Sequence, residues 1–169
     1  MNPKDKFKAA LTAKDQNDAK IANDRLLERQ AEKQAFIQAV NNYSIATTSL
    51  FRDVRGWVKD TGLNVKTIEK QMITPAGNYV SECIKINKGT LVVSLEPQTI
   101  SSLESKGTIK VVIENILRDE QYALILAGMA QENNGVWEFV TLLSGRVSSR
   151  ASFSEEVFFE FLTNVFAKN

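Results

Sequence analysis

Residues 36–58 read FIQAVNNYSIATTSLFRDVRGWV, and the spacing of their large side chains decides the first element. Alternate steps of four and three connect Phe36, Val40, Tyr43, Thr47, Leu50, Val54 and Trp57. This is the a/d rhythm by which a helix keeps one side apolar. Six of those seven positions are apolar or aromatic, so the seam is strong here. A flanking row of Ile37, Ser44, Phe51 and Val58 widens it into the broader face of a helix lying on a domain.

Upstream the same stepping passes Ala22, Leu26, Arg29 and Lys33, so the seam weakens. No glycine precedes Gly56 and no proline lies between Pro3 and Pro75, which leaves the region free of helix breakers. The pattern predicts one helix over 21–61, stopped at Asp60-Thr61-Gly62 by a left-handed Gly62. Residues 1–20 are polar with only Phe7 and Leu11 as apolar anchors, and fraying or disorder is expected there.

Beyond Gly62 the period changes to two. Leu63, Val65 and Thr67 open a strand that ends at the turn signal Thr74-Pro75-Ala76-Gly77-Asn78. Val80, Glu82, Ile84 and Ile86 alternate with Tyr79, Ser81, Cys83 and Lys85, and Asn87-Lys88-Gly89 suits a short hairpin. Further strands are expected over Leu91–Leu95, Ile109–Ile113, Tyr122–Met129 and Val136–Ser144. The unbroken apolar run from Tyr122 reads as a central strand. Ser152 or Ser154 caps a last helix over about 154–167, with Phe158, Phe161, Leu162 and Val165 inward. The fold class is therefore α+β: a long N-terminal helix, an antiparallel meander of about six strands and a short C-terminal helix. Residues 62–169 form the β domain.

The composition narrows the chemistry. Net charge is +1, with 43% apolar and 24% charged residues, so no global field points to a polyanion or a cationic substrate. The chain has no histidine and one cysteine, Cys83. That removes the commonest general base, the commonest transition-metal ligand and any intramolecular disulfide. No phosphate-binding glycine loop and no serine elbow occur. An enzyme is not expected, nor a cofactor or metal. Cys83 reads as an inert thiol within a strand. Glu82 shares its strand face with Ile84 and Ile86, so it must be paired or lie near an edge. The polar N-terminus has no apolar run behind it and no segment approaches membrane-spanning length, so a cytoplasmic protein is expected.

Three function classes follow. The first is a non-enzymatic interaction or adaptor protein, a homodimer through its long helix, with Leu26, Phe36, Val40, Tyr43 and Leu50 on the contact. Phe159 and Phe166 join that set, because the last helix carries more aromatics than one face can bury. The second is nucleic-acid binding, with Lys4, Lys6, Lys8, Lys14, Lys20, Arg146 and Arg150 on phosphates. The interleaved Asp5, Asp15 and Asp18 speak against it. The third is a small-molecule pocket between sheet and helices.

Overall fold

The computed structural model describes residues 2–74, 77–100, 107–129 and 135–168. Its elements are helix α1 (Pro3–Val58), strands β1 (Asn64–Thr74), β2 (Gly77–Lys88), β3 (Leu91–Pro97), β4 (Thr108–Glu114), β5 (Glu120–Met129), β6 (Gly135–Leu143) and β7 (Arg146–Ser152), and helix α2 (Glu155–Phe166). The strands form one antiparallel sheet in the order β1-β2-β3-β4-β5-β6-β7. The fold is α+β, as the alternation of periods predicts.

Two boundaries differ from the sequence reading. Helix α1 continues through residues 4–20, where fraying was expected, because Asn2 caps it and Pro3 starts it. The Asn2 side chain accepts the Lys4 amide at 2.9 Å. At its other end α1 stops at Val58, three residues short of 61. Asp60 already takes a left-handed conformation (φ 63°), Gly62 follows at φ 81°, and the Thr61 hydroxyl donates to the Val58 carbonyl at 2.6 Å.

The strand count is seven rather than six. Ser144 and Gly145 both have positive φ, 51° and 76°, and they join Leu143 to its register partner Arg146. Two consecutive left-handed residues make the tight hairpin turn that suits sheet twist. Strand β7 therefore folds back where the sequence reading ended the sheet.

Strand register defines two faces. Ile84, Ile86, Val93, Leu95, Ile109, Val111, Tyr122, Leu124 and Trp137 fall on one face and are all buried. They share the core with Tyr43, Ala46, Leu50, Phe51, Val54 and Val58 of α1 and with Phe158, Phe161, Leu162 and Val165 of α2. The helices thus cover one side of the sheet. The alternate set, including Lys85, Ser94, Lys110, Gln121, Glu138 and Arg150, faces away from them.

Two glycines let α1 settle onto the sheet. A Cβ on Gly107 would stand 2.3 Å from Tyr43 Cδ2, and one on Gly135 would stand 2.6 Å from Ala46 Cβ. Tyr43 is 1% exposed and its hydroxyl donates to the Thr108 carbonyl at 2.7 Å. Burial pushes that hydroxyl well above the usual tyrosine range, so it stays a neutral donor.

The aromatic surplus of the last helix finds partners on three elements. Trp57 of α1 lies 5.8 Å from Phe153 and 5.7 Å from Phe158, while Phe161 lies 5.0 Å from Tyr122 and 5.2 Å from Phe139. These separations suit favourable tilted ring contacts. Helix α2 is wedged between the sheet and the end of α1, held at its start by Ser154, whose side chain accepts the Val157 amide.

Candidate functional site

The first candidate surface is the N-terminal part of α1. Every residue from Asn2 to Ala35 is exposed, and burial begins at Phe36. At a rise of about 1.5 Å per residue, this free arm is about 50 Å long. It carries Phe7, Leu11, Ile21, Leu26 and Leu27 as exposed large apolar side chains, Phe7 at 64% and Leu26 at 53%. At about 100° per residue Phe7 and Leu11 fall in the sector of Phe36, Val40, Tyr43 and Leu50, while Ile21 and Leu26 flank that sector on either side, with Asp18, Arg25 and Arg29 between them. The sector that docks on the sheet therefore runs on into solvent as a mixed apolar and charged face.

The expected contact residues divide at that point. Leu26 lies on the free arm. Phe36, Tyr43 and Leu50 are buried in the core, and Val40 is partly buried against it, so these four serve the body of the fold rather than an association surface. Phe159 and Phe166 are half-buried and pack on the same core. A seam read from spacing alone does not distinguish the two uses, because a packed helix and a paired helix share the period.

The basic residues do not converge. Lys4, Lys6, Lys8, Lys14 and Lys20 are spread around the whole circumference of the arm at about 100° per residue. Arg146 pairs in register with Leu143 and Arg150 with Val140, which puts the two arginines on opposite faces of β7. Arg150 is also held by Glu138 at 2.9 Å.

The second candidate surface lies where the sheet splits. Strand β4 runs to Glu114, but it pairs with β5 only from Thr108 to Val111, against Tyr122 to Ile125. Beyond that point the strands part around residues 115–119. A cavity of about 400 Å³ opens between them, with Val112, Ile113, Ala123 and Leu142 supplying apolar walls and Lys110, Arg118 and Gln121 supplying polar ones. A second cavity of about 460 Å³ lies between α2 and strands β5–β7, bounded by Phe139, Phe161 and Glu160. Arg118, Glu120 and Tyr122 border both. The Tyr122 hydroxyl donates to Glu120 Oε2 at 2.6 Å. Burial raises the Tyr122 pKa, and the neighbouring Glu120 raises it further.

From the sequence alone Leu117-Arg118-Asp119-Glu120 is a turn leading into a strand. The charged triplet Arg118-Asp119-Glu120 at the start of β5 is the one signal there, and a solvated turn has the same composition. The parting of the strands has no local signature.

Glu82 is paired: its carboxylate receives Arg55 of α1 at 2.5 Å, and the same guanidinium reaches Thr67 at 3.0 Å. Cys83 is buried, and burial pushes its thiol upward, away from the thiolate that reacts. Among the described residues no group of three or more Cys, His, Asp or Glu side chains could hold a metal, and no helix is long and apolar enough to cross a membrane. No known protein family, curated protein or solved structure matches the chain.

Proposed function

We infer that this chain is an interaction protein that self-associates through the free arm of α1, its partner there being a second copy. The observation that carries the reading is the unbroken exposure of Asn2–Ala35 in a helix continuous with the core. Such an arm buries nothing in its own fold, and most helical stability in proteins comes from packing an apolar face. Like charges also recur at four-residue spacing, in Asp24, Glu28 and Glu32 and in Arg25, Arg29 and Lys33, which disfavours an isolated helix. Opposite charges at three-residue spacing, such as Arg25 and Glu28, offset part of that. Pairing supplies what the single helix lacks: cover for Phe7, Leu11, Ile21 and Leu26, each worth about 1.5–3 kcal/mol if fully buried.

Charge favours an antiparallel pair. Lys4, Lys14, Asp18, Arg25, Arg29 and Glu32 fall in the same sector and interrupt it. A parallel pair would set each against its own copy, whereas an antiparallel one brings Asp18 of one arm to the arginines of the other. The scattered lysines offer no single face to a phosphate backbone, which makes self-association the better reading than nucleic-acid binding.

The test is a full-length chain carrying Ile21→Lys and Leu26→Lys, run beside the unsubstituted chain by sedimentation velocity over a concentration series. Both sites are exposed, so the body should fold as before. The reading expects a dimer whose dissociation constant rises at least about tenfold in the variant, the equivalent of 1.4 kcal/mol. A dimer of unchanged affinity would refute the arm as its seat.

A further inference from the structure

The cavity at the split between β4 and β5 has the construction of a small-ligand site. Its volume of about 400 Å³ lies within the range of about 300–1,000 Å³ usual for such pockets. Val112, Ile113, Ala123 and Leu142 give it apolar walls, and Gln98, Lys110, Arg118, Glu120 and Gln121 add polar groups to the lining. Two of them, Lys110 and Arg118, are cations. Among the described residues Lys110 makes no ion pair, although Glu96 stands opposite it in register. Glu120, the carboxylate in this lining, accepts the Tyr122 hydroxyl and keeps its charge, and Arg118 sits against the same hydroxyl, so the lining is left with one positive charge in excess. Residues 112–114 have no pairing partner on the β5 side, so the gap also presents main-chain groups to whatever enters.

We propose that this cleft binds a small amphipathic anion, its charged head between Lys110 and Arg118 and its apolar body along Val112, Ile113 and Leu142. Arg118 offers a planar fork suited to a carboxylate or a phosphate, and Lys110 adds a mobile point charge. An uncharged amphiphile of the same length would fill the apolar part and leave the excess positive charge unanswered. The site is separate from the α1 arm, so it stands whether or not the chain self-associates.

The full chain is titrated calorimetrically with octanoate, octyl phosphate and octanol. Octanoate, octyl phosphate or both are expected to bind saturably with one site per chain, at least tenfold tighter than octanol. The two anions separate a carboxylate head from a phosphate head. Lys110→Gln and Arg118→Gln should each weaken anion binding about tenfold, while Lys14→Gln on the arm leaves it unchanged. Lys110 is exposed, so its replacement tests charge without disturbing packing. Failure of both anions to bind, equal binding of octanol, or anion binding untouched by Lys110→Gln would each overturn the assignment.

Discussion

At Gly107 one hydrogen atom decides how closely helix and sheet approach. The Tyr43 ring occupies the space a β-carbon would need, and it cannot retreat because its hydroxyl is tied to the Thr108 carbonyl. Gly107→Ala should therefore cost about 1–3 kcal/mol, the usual range for overpacking a filled interior. Equilibrium urea denaturation checks this, and a midpoint equal to that of the unsubstituted chain would contradict it. The same residue marks what the sequence could not disclose. Tyr43 was legible as an apolar-face residue from its spacing, yet whether it faced a sheet or another helix depended on a glycine 64 positions later. Glu82 was more legible. A carboxylate sharing a face with Ile84 and Ile86 had to be paired or near an edge, and Arg55 pairs it.

Among the elements, legibility followed hydrophobic contrast. The strands whose side chains alternate between core and solvent were visible as period two, and α1 was visible where its face packs. Strand β7 was not, because every residue of Arg146–Ser152 is exposed and an edge strand with no buried side carries no alternation. Only the Ser144-Gly145 turn hinted at it. Strands β2, β3 and β4 are further tied on the helix-free face, where Lys85 reaches Glu114 at 2.6 Å and Ser94 donates to the same carboxylate at 3.1 Å. The Lys85 bond is the main reason that Glu114 titrates below, and Lys85 above, its ordinary value. Because the folded pKa of Glu114 is lowered, its contribution is present above the usual carboxylate range and is lost as pH falls through the folded value. Lys85, raised, keeps its part until strongly alkaline pH. The urea midpoint of Glu114→Gln should thus fall below that of the unsubstituted chain at pH 7, and the gap should close as pH drops well under about 4.3. A gap independent of pH would contradict this account of the cluster.

Viewed whole, the molecule is a sheet covered on one face and a helix that overshoots it by about 50 Å. The body has a core of its own, down to the aromatics of α2, which dock on Trp57, Tyr122 and Phe139, although it also leaves large apolar side chains such as Ile73, Val80 and Leu117 exposed. The arm has no core at all, and its unbroken exposure from Asn2 to Ala35 is what the reading of the protein rests on. It was half legible: the weakening of the seam at Arg29 and Lys33 marked where packing on the sheet ends, whereas the continuation of helix back to Pro3 was hidden by a polar composition that suits fraying equally well. Since Asn2–Ala35 are exposed throughout and none of them joins the core, their removal should leave the thermal midpoint of the body unchanged at concentrations where both forms are monomeric. The decisive measurement is the mass in solution, by light scattering, of the full chain and of a chain lacking residues 2–35. The account predicts twice the 18.9 kDa chain mass for the full chain and a single-chain mass for the shortened one. A single-chain mass for both would contradict it.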